Sequence, residues 1–176
     1  EIAEQIKADS HQEYLLKVLK KELDYREKTR INRLIKQAKF YALKTFDSYF
    51  FDEIRLPKGL SIEDLKEATF VDEQRNLILY GNVGTGKTHM AIAAGVAACK
   101  KGKVVRFFRT ASLVNQLNDA KKEGTLNQFL RQLFKTDLLI CDEWGYIPLD
   151  RDGSKLLFQV ISECYEQRSV IITTNL

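Results

Sequence analysis

Proline is scarce in this chain, with two among 176 residues, and the first 44 residues contain neither proline nor glycine. A stretch without helix breakers can run as helix over most of its length. Long apolar runs are also missing. Nothing approaches the roughly 20 consecutive apolar residues of a membrane-spanning helix, so no membrane partner is expected. No secretory pattern opens the chain either: Glu1 to Ser10 are polar, and the expected compartment is the cytoplasm. The chain does not begin with methionine, which suggests a cropped N-terminus. Cysteine is limited to Cys99, Cys141 and Cys164, with no C-x-x-C pair and apolar neighbours around each. That pattern reads as reduced, buried thiols and not as a disulfide or a zinc site. The two histidines, His11 and His89, are too few and too distant to suggest a metal centre.

What is present is enough apolar residue, 44%, to build one core with a small appendage. Charge is unevenly spread. Residues 17–44 hold ten Lys/Arg against three Asp/Glu, a local +7, so the remainder of a chain of net +4 sums to −3. The excess points the N-terminal segment toward an anionic partner.

Two patterns divide the chain. Residues 1–44 place apolar side chains at helical spacing, as in Leu15, Leu16, Leu19 and Leu23, then Ile31, Leu34, Ile35, Ala38 and Ala42. They read as a basic helical region, and residues 45–176 as the main domain. From Leu77 onward, short apolar runs alternate with helical patterns, the signature of a parallel sheet flanked by helices. The expected strands are Leu77–Tyr80, Val104–Phe108, Leu138–Cys141 and Val170–Thr174. Apart from Arg106, each is a run of apolar or β-branched residues, as strands buried on both faces require. Lys87–Lys100 reads as a helix ended by Gly102. Thr125 and Gln128 read as a capping box, as do Ser61 and Asp64. Leu156, Leu157, Val160, Ile161, Cys164 and Tyr165 form one face of a last helix. No internal repeat is visible.

Residues 81–88 read G-N-V-G-T-G-K-T, a match to G-x-x-x-x-G-K-[ST] between an expected strand and an expected helix. Each residue type has a physical task. Gly81, Gly84 and Gly86 allow positive φ and bring backbone N–H groups close to phosphate oxygens. Asn82, Val83 and Thr85 complete the loop, and the helix entered through Thr88 and His89 aims its positive end at the same charge. Lys87 reaches the β- and γ-phosphates, and Thr88 offers a hydroxyl to Mg²⁺. ATP and Mg²⁺ are therefore the expected ligands.

A second acidic signature follows. L-L-I-C-D-E at 138–143 carries two carboxylates to the C-terminal edge of a parallel sheet, where ligands bind. Asp142 suits Mg²⁺ through its water shell, and Glu143 suits orientation and deprotonation of an attacking water. A water-activating glutamate favours hydrolysis over transfer to a small-molecule acceptor, which opposes a kinase. No N-K-x-D motif is present, so ATP is favoured over GTP. The last strand, V-I-I-T-T-N, ends in Asn175, which would either sit by the γ-phosphate or serve as a turn residue.

With these motifs in place the chain resembles the AAA+ superfamily in its initiator clade, and within it the IstB/DnaC group, over roughly residues 40–176. The most telling stretch is D-E-W-G-Y-I-P-L-D-R-D-G-S-K-L-L-F-Q from Asp142, with Trp144 where the group's pattern has leucine. The resemblance implies Walker A at Gly81–Thr88, Walker B at Asp142 and Glu143, and sensor I at Asn175, with Lys87, Glu143 and Asn175 acting in hydrolysis. It implies that Thr45-Phe46-Asp47-Ser48-Tyr49-Phe50 lies against adenine, although Phe46, Tyr49 and Phe50 equally suit anchoring of the N-terminal segment. An extra helix in 111–135, split at Gly124, would face a nucleic-acid channel. Lys121, Lys122 and Arg131 are its candidate DNA contacts, or simply a solvated face. The group's fifth core strand and arginine finger would follow Leu176, so the expectation is an AAA+ fold without its C-terminal part.

On a helical wheel of residues 30–44, Arg30, Arg33, Lys36, Lys39 and Lys44 gather opposite the apolar arc, with no acid among them and Phe40 in their midst. That face suits a DNA backbone or an acidic groove. Alternatively, Phe40 packs on the core and the lysines only solubilise. The resemblance implies an ATPase that self-assembles as a ring or filament on double-stranded DNA and assists a transposase. The rivals are a helicase loader of the DnaC type, a small-molecule kinase, and a nucleotide switch without turnover.

Overall fold

The computed structural model describes residues 8–52, 54–146 and 150–175. Two compact units emerge, Glu1–Arg33 and Leu34–Leu176. The first contains most of a helix, α1 (His11–Ala38). Along it Lys17 pairs with Glu13 at 2.6 Å, Arg26 with Glu22 at 2.7 Å and Arg30 with Glu27 at 3.6 Å. Pairs at this spacing each add a few tenths of a kcal/mol to a helix. Leu15, Leu16, Leu19 and Leu23 all remain more than half exposed.

The second unit is built on four parallel strands in the order β1-β4-β3-β2. These are β1 (Leu77–Tyr80), β2 (Val105–Arg109), β3 (Leu138–Trp144) and β4 (Ser169–Thr174). Helix α4 (Lys87–Lys100) follows β1, and α5 (Thr110–Lys122) with α6 (Leu126–Leu133) joins β2 to β3. Helix α7 (Arg151–Cys164) joins β3 to β4. Two short helices, α2 (Ile62–Lys66) and α3 (Thr69–Asp72), precede the sheet.

The unbroken apolar runs of the strands are explained by two cores, one on each face. Leu138 and Ile140 of β3 point into a cluster with Met90, Ile92 and Val96 of α4. Leu139 and Cys141 point the other way, among Leu113 and Leu117 of α5 and Leu157 and Val160 of α7. Successive side chains of a strand face opposite sides, so a strand covered twice must be apolar at every position. The three cysteines are buried and free.

Local signals agree with the sequence in part. Ser61 and Asp64 form a reciprocal capping box, with Asp64 N–H donating to Ser61 Oγ at 3.1 Å and Ser61 N–H to Asp64 Oδ2 at 2.8 Å. The box expected at Thr125 does not form. Helix α6 begins there, but the Thr125 backbone sits at φ −101°, ψ 5° and its side chain caps nothing. Its hydroxyl turns back to the carbonyl of Ala120, 3.4 Å away. Gly124, at φ 71°, makes the break between α5 and α6.

The helical wheel of residues 30–44 requires a correction. Helix α1 stops at Ala38, and Lys39 adopts φ 61°, a left-handed residue just past the last turn. That reversal takes Phe40 off the wheel. Its ring meets Phe107 of β2 at 6.0 Å, edge to face, and lies so close to α4 that a Cβ on Gly95 would be 2.9 Å from Phe40 Cζ. The aromatic packs on the core, and the last basic residues, Lys39 and Lys44, lie outside any helix.

Candidate functional site

The C-terminal ends of the parallel strands bring together the loop after β1, the acidic end of β3 and the hydroxyls at the end of β4. The loop 81–86 takes positive φ at Gly81, Gly84 and Gly86, at 146°, 83° and 80°. At Gly86 a side chain is disfavoured twice, since an added Cβ would also crowd Tyr49 Cε2 at 3.1 Å. Lys87 curls over the loop. Its Nζ donates to the carbonyls of Gly81 at 2.7 Å and Asn82 at 2.6 Å. Helix α4 starts at Lys87, so its unpaired N–H groups open toward the concave side of the loop.

Asp142 is the hub. It is 1% exposed, and its Oδ1 accepts from the hydroxyls of Thr88, at 2.9 Å, and Thr173, at 2.5 Å. Its backbone carbonyl accepts from Thr110 Oγ1 at 2.9 Å. A buried carboxylate held by hydroxyl donors stays correctly aimed without an ion pair. The convergence of Thr88 and Asp142 fits a divalent cation chemically: hard oxygen donors, a carboxylate and a hydroxyl, side by side. Among the described residues there is no group of three or more His, Cys, Asp and Glu that could hold a metal by itself. The oxygens of a phosphate chain and water would complete such a shell, as is usual for Mg²⁺.

Glu143 is displayed by an irregularity in β3. The register with β4 is regular up to Cys141 and resumes at Trp144, and Glu143 adopts φ 59°. A left-handed non-glycine residue costs of order 1–3 kcal/mol and persists only where its surroundings hold it. Here Glu143 N–H donates to Thr173 Oγ1 at 3.0 Å, so one hydroxyl fixes both the buried aspartate and the bulged glutamate. The Glu143 carboxylate lies 3.6 Å from Nε of Arg109, the last residue of β2, whose guanidinium also sits 5.7 Å above the Tyr41 ring.

Beside the loop is a cleft of about 660 Å³. Gly81, Asn82, Thr85 and Lys87 line its polar end, and Tyr49, Ile54, Leu56, Pro57 and Leu60 its apolar side. Tyr49 is half-buried, and burial raises its phenol above the usual range, keeping it neutral. Phe46 is turned away from this cleft, packing on the core beside Phe51 at 5.6 Å and Tyr49 at 6.1 Å.

Apart from His89, the remaining sequence candidates are exposed. Asn175 follows β4 directly and is exposed. Val83 is exposed at the loop tip, and His89 points its Nε2 at the carbonyl of Thr45, 2.9 Å away. Arg30, Arg33, Lys36 and Lys39 are each exposed. Lys121 pairs with Asp152 at 3.1 Å, and Lys122 and Arg131 are exposed. Ile147, Pro148 and Leu149, part of the family-like stretch, lie outside the described residues. Sequence reasoning overlooked Arg109 and Thr173. The paired threonines closing an otherwise apolar strand were a signal for the second; nothing marked the first.

A parallel sheet carrying a phosphate loop after β1 and an acidic pair on β3 defines an AAA+ nucleotide-binding domain. The chain belongs to the family of IstB-like ATP binding proteins, matched over residues 2–176. It is 37% identical over 164 residues to the insertion sequence IS232 putative ATP-binding protein of Bacillus thuringiensis subsp. berliner, covering 93% of this chain and 66% of the relative. It is likewise 37% identical over 166 residues to the IS5376 putative ATP-binding protein of Geobacillus stearothermophilus, covering 94% and 66%. The chain thus spans just under two thirds of the length of these relatives. Among solved structures it is similar to the crystal structure of the DnaC helicase loader, with TM-score 0.62, 31% identity, and coverage of 79% of this chain and 80% of that one.

Proposed function

We propose that this chain is the nucleotide-hydrolysing part of an ATPase that assembles on double-stranded DNA and assists a transposase. The observation that carries the hydrolytic reading is the hydroxyl of Thr173 joining Asp142 to Glu143 at the mouth of the phosphate loop. In this reading Lys87 leaves the Gly81 and Asn82 carbonyls for the β- and γ-phosphates of ATP, and the loop N–H groups bind the phosphate oxygens. Thr88 and Asp142 would hold Mg²⁺, which would supply charge neutralisation on the phosphates when bound. Glu143 orients a water and takes its proton. Asn175, next to the same strand end, helps align that water. Tyr49 and its apolar neighbours hold the nucleoside.

The transposition role is supported by the names of the relatives, which are insertion sequence putative ATP-binding proteins. DNA binding is supported by the exposed basic residues Arg30, Arg33, Lys36 and Lys39. No helix among the described residues is long and apolar enough to cross a membrane, in keeping with a cytoplasmic protein acting on DNA. A second reading, a helicase loader, is favoured by the similarity to the DnaC structure. Capture by transposase against replicative helicase separates the two.

The test of the catalytic assignment is Glu143→Gln in the full-length protein. Nucleotide affinity should persist while turnover falls at least a hundredfold, because the amide keeps the shape and cannot take a proton. Turnover near the original rate refutes the role. DNA binding is tested by anisotropy on two unrelated duplexes across a salt series. Reversal of Arg33, Lys36 and Lys39 to Glu should weaken both equally and flatten the slope by about 0.9 per lost phosphate contact.

A further inference from the structure

His89 was read from the sequence as a phosphate-loop residue, yet it does not line the cleft. It is the third residue of α4, half-buried, and its Nε2 lies 2.9 Å from the backbone carbonyl of Thr45. A carbonyl only accepts, so Nε2 carries the proton. The ring stands edge-on to Tyr49, with centroids 5.1 Å apart at 71°. Tyr49 in turn stacks edge to face with Phe51 at 4.9 Å and packs on Gly86, where an added Cβ would crowd its ring at 3.1 Å. One histidine therefore ties the segment 45–51 to the helix that carries Lys87 and Thr88. Tyr49, the aromatic residue of that segment on the cleft wall, touches both His89 and Gly86.

We propose that His89 is a positioning residue. By donating to the Thr45 carbonyl and buttressing Tyr49, it latches segment 45–51 onto the phosphate loop and so builds the wall against which the nucleoside part of ATP rests. The proposal rests on the nucleotide-binding reading of the cleft. Its chemical content is a division of labour: the loop binds phosphates unaided, and His89 matters only for ligands that carry a base and sugar. Because Tyr49 packs directly on Gly86 of the loop, loss of the latch removes one of the two contacts that hold the segment there.

The test compares His89→Gln, whose amide N–H can reach the Thr45 carbonyl, with His89→Asn, whose shorter side chain cannot. Calorimetry on the full-length protein measures affinity for ATP, ADP and inorganic tripolyphosphate. Loss of one hydrogen bond and one aromatic contact should weaken ATP and ADP about tenfold in His89→Asn. Tripolyphosphate affinity should stay within about twofold, which also reports that the loop is folded, and His89→Gln should recover most of the ATP affinity. Equal weakening of ATP and tripolyphosphate overturns the proposal, because His89 then acts on the loop itself. Unchanged ATP affinity in His89→Asn overturns it as well. A wild-type protein that binds tripolyphosphate but not ATP refutes the nucleotide reading of the cleft, and the latch with it.

Discussion

Replacing Thr173 by valine tests whether one hydroxyl holds the site together. The side chain is 2% exposed, so valine occupies the same space and leaves no cavity. What disappears is a donor to Asp142 Oδ1 at 2.5 Å and an acceptor for Glu143 N–H at 3.0 Å. A hydrogen bond to a charged group contributes about 1.5–3 kcal/mol, and an orphaned buried N–H costs about 1–3 kcal/mol. Thr88 still donates to the same aspartate oxygen and the Glu143 N–H is only part-buried, so the low ends apply, for a total of about 2.5 kcal/mol. For a chain of this size that is a fall in Tm of roughly 5–10 °C. Thr173→Ser keeps the hydroxyl and loses a methyl, at about 1 kcal/mol. Urea unfolding followed by circular dichroism measures both. The reasoning fails if valine lies within about 0.5 kcal/mol of wild type, or if serine costs as much as valine.

Other perturbations follow from the same geometry. Arg109→Ala removes an exposed ion pair and should change stability by under about 1 kcal/mol; a change in ATP turnover beyond threefold then reports on how Arg109 restrains Glu143, and no change shows that the pair is idle. Lys87→Ala should abolish tight ATP binding, and unchanged affinity by calorimetry would sink the loop assignment. Burial pushes the Cys99 thiol up to about 12 and raises those of Cys141 and Cys164. Unfolded thiols ionise near 8.5 while the folded ones stay protonated, so the unfolded state binds fewer protons and stability falls as pH rises above about 9. Thermal melts between pH 7 and 10.5 should show that fall, and Cys99→Ala should lessen it; identical curves for the two proteins would refute the account.

Much of the site was legible because its chemistry is local. Gly81 to Thr88 form a contiguous phosphate loop, and L-L-I-C-D-E announces a buried strand with acids at its end. The strand edges slipped by a residue or more, since β3 continued through the acids Asp142 and Glu143 to Trp144, and β2 through Arg109, past the ends of the apolar runs. What stayed hidden is what depends on neighbours distant in sequence. The left-handed Glu143 reflects a mismatch of register with β4, and Arg109 reaches Glu143 only because β2 lies beside β3. The end of α1 was missed for a related reason. Residues 39–44 keep helical periodicity and lack proline and glycine, but burying Phe40 against Phe107 and α4 outweighs the helical preference of a few exposed residues.

Strand order also has a kinetic meaning. β4 comes last among the four described strands, yet it lies between β1 and β3, and residue 169 must find residues 77 and 138 before these four strands pair. Until then the phosphate loop hangs on a strand with no neighbour, and Asp142 lacks the threonine that aims it. A chain ordered only through residue 150 therefore holds both halves of the site without the strand that joins them. Closure of so long a loop is slow compared with helix formation. The ability to bind nucleotide should appear only in the final phase of refolding, together with the strand that joins the two halves.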